Sequence, residues 1–281
     1  SDLRPGADYE ALYQSALCRQ KADWLVGINA TRLFSVLYHR TLNVGRVQTP
    51  TLAMLAERDA KITLFHKEKY HLLRLTLNGA EAVSEKFTDP AEAEQAAAMC
   101  KGVTVICTSV TKEQKKEQPP KLYDLTTLQR EANRLFGYTA KQTLDYAQSL
   151  YEKKLLTYPR TDSRYLTSDM AETASCVIHL AAKLPPFDGC GNFFPLVEGM
   201  ISDKDVSDHH AIIPTMEIEK ADIKTLPLGE RNLFLLVCCK LLCASAEPYV
   251  YEAVTATFDC SGQSFTAKGK RILSEGWREI D

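Results

Sequence analysis

The sequence has no G-x-x-x-x-G-K-[ST] loop and no G-x-G-x-x-G turn. The two glycine-rich phosphate cradles that hold ATP or a dinucleotide are therefore not signalled. No C-x-x-C pair occurs among nine cysteines, which removes the short ligand spacing of a structural zinc site. No apolar run reaches the roughly 20 residues of a membrane span, and no signal peptide is visible. A basic excess is missing too: 34 Lys and Arg stand against 36 Asp and Glu, a net charge of -2. Non-specific duplex binders usually carry such an excess. A nucleic-acid partner would have to meet its positive charge locally, in a groove. No internal repeat is found.

What remains is an ordinary soluble composition, 45% hydrophobic and 25% charged over 281 residues, enough for about two domains. Cys238, Cys239 and Cys243 fall in the apolar run "RNLFLLVCCKLLCASA". The cysteines read as buried thiols in a reducing cytoplasm. The chain starts at Ser1 and stops after the strand-like "KRILSEGWREI", so a piece of a longer protein is expected.

Residues 9–38 read as a helix, with Leu12, Ala16, Trp24, Ile28 and Leu33 at helical spacing. Thr49 is placed to cap a second helix, with Pro50 at its first position, running to Thr63. From Tyr70 the period becomes two, "YHLLRLTLNG"; an Ala-rich helix closed by Gly102 and a β-branched strand follow. "KEQKKEQPPKLYD" reads as a charged linker and domain boundary. Asp124 or Thr126 opens the next helix, and Gly137 turns the chain. Thr139 caps a further helix through Lys154, with Leu144, Ala147 and Tyr151 on one face. Helix, glycine turn, helix and extended segment is the layout of a winged-helix or helix-turn-helix unit. Residues 169–183 read as helix, 185–192 as loop and 234–244 as helix. The period-two segment "PYVYEAVTATFDCSGQSFTAKGKRI" then rejoins the sheet, making the helical middle an insertion in a β domain.

The chemistry concentrates in "LLTYPRTDSRYL". A phenol has a pKa near 10 and is a weak nucleophile at neutral pH. Fixed cations that favour the phenolate and hold the electrophile make it useful. Arg160 lies two residues beyond Tyr158, on the same side of an extended chain, and Pro159 biases Tyr158 toward that conformation. A guanidinium fork fits a phosphodiester and the charge that develops on it. Tyr158 with Arg160 therefore reads as a phosphoryl-transfer nucleophile packaged with its clamp, against a plain strand-end tyrosine beside a salt bridge. Asp162 is placed to orient Arg160 or Arg164, with Ser163 between them. In "SDHHAIIPT", His209 or His210 could exchange a proton with a phosphate. Adjacent histidines on a strand face opposite ways, so no joint metal site with Asp203, Asp205 or Asp208 is expected. Arg19 and Asp23 stand at i and i+4 and can pair. Gly45, Arg46 and Gln48 sit at a turn before a helix N-terminus, a place for phosphate contacts. Both groups read equally as ordinary helix surface and turn.

Taken together, "ADWLVGINATR", "LNVGRVQTPTLAMLAERD", "PPKLYDLTTLQREANRLFGYTAKQTLDYAQSLYEKKLLTYPRTDSRYL" and "DHHAIIPT", in that order, resemble the type IA DNA topoisomerases, and the topoisomerase III branch in particular. The resemblance covers nearly the whole chain. It implies an α+β, multidomain fragment: a helical gate segment over 1–65 and a β-rich arch over 66–117. A winged-helix-like (CAP-like) tyrosine domain over 118–246 and the arch's return over 247–281 complete it. It implies that Tyr158 forms a 5′-phosphotyrosyl link to one DNA strand, that Arg160 binds the scissile phosphate, and that His209 is the active-site histidine. It implies a DNA-binding path through Arg19, Asp23, Gly45, Arg46, Gln48, Asp162, Ser163 and Arg164. Strand passage and religation would proceed without ATP, because covalent catalysis conserves the bond energy. Magnesium is expected in the full-length enzyme on a Toprim domain. No DxDxEG lies in this sequence, so no metal is expected here and the fragment should bind single-stranded DNA without cleaving it. The expected setting is a monomeric, cytoplasmic bacterial protein with no membrane partner. A non-enzymatic winged-helix duplex binder and a protein-binding scaffold are the competing readings. Asp145 and Glu152 on the would-be recognition helix count against the first.

Overall fold

The structure, a computed structural model, describes residues 5–188 and 195–280. The end of the expected 185–192 loop lies outside the described residues. The chain divides into two compact units, residues 1–70 and 71–281.

The first unit is built on two helices, α1 (Glu10–Leu37) and α2 (Gln48–Thr63). α2 begins two residues earlier than the capping pattern suggests. Its N-cap is Val47, and the Thr49 hydroxyl accepts instead from Gly45 N at 3.0 Å. Pro50 sits inside the first turn, where its missing N–H costs nothing. The connection is tied across α1: Val44 N donates to Thr31 Oγ1 at 3.0 Å and Leu42 N to Ser35 Oγ at 2.9 Å. Neither helix buries a side chain, and Trp24, Leu25, Leu52 and Leu55 are exposed.

The second unit combines a sheet and a helical layer. Strands β1 (Arg74–Leu77), β2 (Ala80–Ser84), β3 (Ile106–Glu117), β4 (Tyr249–Cys260) and β5 (Gln263–Ser274) form one sheet. They lie in the order β1-β2-β5-β4-β3, every pair antiparallel. Helix α3 (Pro90–Cys100) is capped by Asp89, which accepts from Ala91 N at 2.9 Å. Its end of the sheet carries a small core of Ala82, Cys260 and Phe265.

β3 corrects one reading. Residues 112–117 are strand, not linker, and pair with β4 down to Glu117↔Tyr249. β3 is an edge strand exposed over nearly its whole length, so no apolar alternation is required of it. Lysines and glutamates there discourage pairing with another chain. Pro119 and Pro120 follow the strand, where a residue without an N–H cannot extend the ladder.

The segment between β3 and β4 is helical. It contains α4 (Leu125–Phe136), α5 (Ala140–Glu152), α6 (Ala171–Ala181) and α7 (Leu228–Ala244). Asp124 and Thr139 each form a reciprocal capping box, and Gly137 ends α4 in the left-handed region at φ 71°. Such caps contribute about 1 kcal/mol each. The inward face of α5 is Thr143, Ala147 and Leu150; Leu144 is only half-buried and Tyr151 is exposed. Burying Thr143 is tolerated because its hydroxyl donates to Thr139 O at 3.1 Å. α7 is apolar on most sides and buries Leu233, Phe234, Val237, Cys238, Leu241 and Leu242. The non-helical residues Leu155, Leu156, Leu166, Ile212 and Ile213 join the same core. The cysteines are not uniformly buried: Cys238, Cys243 and Cys260 are, whereas Cys18, Cys107 and Cys176 sit on outward faces of α1, β3 and α6.

Candidate active site

Tyr158 is reached by a sharp reversal after α5. Lys154 takes φ 62°, and Leu155 N and Leu156 N both donate to Leu150 O, at 2.9 and 3.3 Å. Leu155 and Leu156 drop into the core, and the next residues emerge from it. Thr157 then clamps this segment to residues 209–214. Its N–H donates to Ile213 O at 2.9 Å. Its hydroxyl accepts from Ile213 N at 2.9 Å and donates to Ala211 O at 3.1 Å. Leu156 bridges Pro214 alongside. A second clamp lies beyond the tyrosine, where the Thr161 hydroxyl donates to His209 O at 3.1 Å.

These clamps bring the Tyr158 and His209 rings to 4.6 Å between centroids, tilted by 49°. Tyr151 meets Tyr158 edge-on at 5.5 Å and 75°. The half-buried phenol lies on an open groove of about 500 Å³ lined also by Tyr151, Glu152, Lys154, Thr157 and His210. Within 2.8 Å of His210 Nδ1 is Ala211 O. A carbonyl only accepts, so that nitrogen donates the hydrogen bond. The two histidines thus differ: His209 stacks on the phenol and His210 is tied to its own backbone.

Pro159 is buried and Arg160 exposed. Arg160 makes no hydrogen bond or ion pair among the described residues, so its fork is open to an anion. Asp162 orients neither arginine; it is exposed and pairs with neither. Arg164 is instead held by main-chain carbonyls, its Nε donating to Leu122 O at 3.0 Å and its Nη2 to Lys121 O at 3.5 Å. Ser163 is buried, and its hydroxyl donates to Asp205 O at 2.9 Å while accepting from Tyr165 N at 3.2 Å. Asp203 and Asp205 serve turns: Asp203 Oδ1 accepts from Ser168 N at 2.7 Å and Asp205 Oδ2 from Ser202 Oγ at 2.6 Å. Among the described residues no three His, Cys, Asp or Glu side chains gather as a metal ligand set.

In the first unit Asp23 pairs with Arg46 rather than with Arg19. The bonds that tie Val44 to Thr31 carry the Arg46 turn over α1, within reach of Asp23. A Cβ on Gly45 would come within 2.7 Å of Gln48 Nε2, so the turn packs closely against the Gln48 side chain. Arg19, Asp23 and Trp24 line one groove, and Asp23, Trp24, Asn43 and Gln48 a second. Cations, an amide and an indole along a surface are the elements of a stacking platform for a single strand.

Sequence reasoning missed Thr157 and Tyr151. The only signal for Thr157 is a hydroxyl beside the tyrosine in a β-branched position, which every strand threonine shares.

A family model described as "DNA topoisomerase" matches residues 7–281. The chain belongs to the DNA topoisomerase family. It is 38% identical over 294 residues to DNA topoisomerase 3 of Bacillus subtilis (strain 168), across 99% of this chain and 40% of that protein. It is 39% identical over 305 residues to DNA topoisomerase 3 of Bacillus anthracis, across 100% of this chain and 40% of that protein. These matches bear out the type IA, topoisomerase III-like resemblance of the motifs. The fold is similar to that of full-length topoisomerase I from Thermotoga maritima, with a TM-score of 0.72 at 24% identity, covering 94% of this chain and 45% of that one. The chain spans about two fifths of the length of the curated relatives it matches. Among the described residues of this topoisomerase chain, no helix is long and apolar enough to cross a membrane.

Proposed function

We propose that this chain is the tyrosine-bearing central part of a type IA topoisomerase that cuts, passes and rejoins DNA strands without ATP. The observation that carries the reading is the packing of a solvent-reachable phenol, Tyr158, against His209, with the unpaired Arg160 guanidinium two residues on. In cleavage the Tyr158 oxygen attacks a backbone phosphorus and displaces the 3′-oxygen of the preceding nucleotide. The phenol proton leaves to a base, and the departing oxygen takes up a proton to become a 3′-hydroxyl. One phosphoester replaces another, so religation is the same step in reverse and needs no external energy. Arg160 neutralises the phosphate as charge builds on its equatorial oxygens. The His209 imidazole stands where it can exchange a proton with the reacting groups.

Magnesium, which the family resemblance assigns to a Toprim domain, has no ligand set among the described residues here. No step is routed through it. In this reading the chain alone binds single-stranded DNA and does not cleave it, and it acts as a monomer. Relaxation of supercoiled plasmid by the longer protein tests the proposal. Tyr158→Phe should abolish relaxation while leaving single-strand affinity within about twofold, since a lone phenolic hydroxyl adds little to binding. A Tyr158→Phe protein that still relaxes plasmid refutes it.

A further inference from the structure

A cavity of about 320 Å³ opens between α4 and α7, and it shares no lining residue with the Tyr158 groove. Arg130, Glu131 and Arg134 of α4, Lys240 of α7, Arg164 and Tyr123 form its walls. Four cationic side chains therefore face one carboxylate. That carboxylate is already matched: Lys240 Nζ lies 3.1 Å from Glu131, and Arg134 is within 3.4 Å of it. Arg130 makes no hydrogen bond or ion pair among the described residues. Arg164 spends its Nε and one Nη2 hydrogen on main-chain carbonyls, which fixes the fork and leaves Nη1 without a partner. Two guanidiniums without a carboxylate thus converge on one hollow, in a chain whose net charge is -2. Two open cations around one hollow raise a local positive potential that attracts an anion. Tyr123 adds a second anomaly. It is buried, and its hydroxyl has no hydrogen bond of ordinary geometry, although it lies beside Glu131.

We propose that this cavity is a second nucleic-acid contact, which holds a backbone phosphate of a single DNA strand between the Arg130 and Arg164 forks. A planar guanidinium binds phosphate through two parallel N–H bonds, and the cavity is large enough for a phosphate with its sugar. The location favours a strand over an isolated anion. Arg164 ends the segment that Tyr158 begins, and six residues span at most about 20 Å. That is roughly six nucleotide steps at about 3.4 Å each, so one strand could reach both places. The proposal rests on the strand-cleaving reading above. A free phosphate shares the chemistry, so the test has an arm for each source.

The test compares three forms of the 281-residue chain: wild type, Arg130→Gln/Arg134→Gln, and a control that also loses two charges, Lys116→Gln/Lys268→Gln. All four positions are exposed, so the fold should survive, and matched melting curves verify it. Fluorescence anisotropy with a single-stranded oligonucleotide is recorded across a salt series. Each phosphate contact contributes about 0.7 to the slope of log K against log salt for a single strand. The Arg130/Arg134 variant should lose about 0.7 of that slope, one phosphate contact, equally for unrelated sequences, and the control should not. In the second arm inorganic phosphate is titrated while the arginine Nε NMR signal of Arg164 is followed. A shift saturating in the wild type and weakened in the Arg130/Arg134 variant supports the site. Single-strand binding with an unchanged slope in the Arg130/Arg134 variant overturns the proposal and leaves the strand-cleaving reading intact. A phosphate response with an unchanged slope does the same, because it reassigns the cavity to small anions. Absence of strand binding in every form overturns the proposal together with the expectation of single-strand binding.

Discussion

Replacing Thr157 by Val tests how the site is held together. Valine keeps the shape and the backbone N–H, so the bond from Thr157 N to Ile213 O survives. The hydroxyl bonds to Ile213 N and Ala211 O are lost. The two losses are unequal. Ala211 O retains the His210 imidazole at 2.8 Å, whereas Ile213 N, in a buried residue, is left without an acceptor. A spared hydrogen bond costs about 0.5–1.5 kcal/mol and an orphaned buried donor about 1–3 kcal/mol. The extra methyl offsets less than about 1 kcal/mol. The expected net loss is about 1–4 kcal/mol. A unit the size of residues 71–281 loses about 2–4 °C of melting temperature per kcal/mol, hence at least about 2 °C and up to about 16 °C by calorimetry. Thr157→Ser keeps the hydroxyl and should retain most of the stability. The same Val variant should slow strand cleavage by the longer protein more than Ser does, because the clamp sets the distance from Tyr158 to His209. A Val variant that melts with the wild type and cleaves at its rate would refute the clamp.

Gly276 takes φ 50°, and a Cβ there would collide with the main-chain oxygens of Pro248 and Glu247. Gly276→Ala should lower the melting temperature and loosen the bond from Trp277 N to Glu247 O, at 2.8 Å, read as faster amide exchange at Trp277. Burial pulls the Glu131 carboxyl upward, but Tyr123, Lys240 and Arg134 outweigh it and hold it below the usual carboxylate range. A group depressed on folding stabilises above its unfolded pKa, and that stability is lost as pH falls through the folded value. Stability should therefore decline on the acid side of the usual carboxylate range, and Glu131→Gln should flatten that limb in urea titrations. Burial pushes the Cys238 thiol well up, so brief alkylation of native protein should modify Cys18, Cys107 and Cys176 and spare Cys238, as read by peptide mass spectrometry.

The elements with strong local rules were legible in the sequence. The Thr139 cap, the turn at Gly137 and the β4–β5 strand pair follow from short-range chemistry that tertiary contacts do not override, and of the two candidate openers, Asp124 and Thr126, Asp124 caps α4. The Lys112–Glu117 stretch was not legible, because an exposed edge strand and a charged linker share a composition. The α5 face was misjudged by one residue because Thr143, polar by type, satisfies its own hydroxyl within the helix. The Tyr158–Arg160 spacing was readable as a nucleophile with a cation. Its partners in space were not, since His209 arrives from about 50 residues away along the chain through the Thr157 and Thr161 hydroxyls. Asp23 shows the same limit: i,i+4 spacing offered Arg19, while a long-range turn delivered Arg46.

The most direct measurement is to trap the covalent intermediate. The longer protein is mixed with a single-stranded oligonucleotide labelled at its 3′ end, quenched with detergent, digested and mapped. The account predicts that the 3′ label travels with the peptide holding Tyr158, that a 5′ label does not, and that Tyr158→Phe abolishes the adduct. An adduct mapped to another residue, or one that persists in the Phe variant, would contradict it.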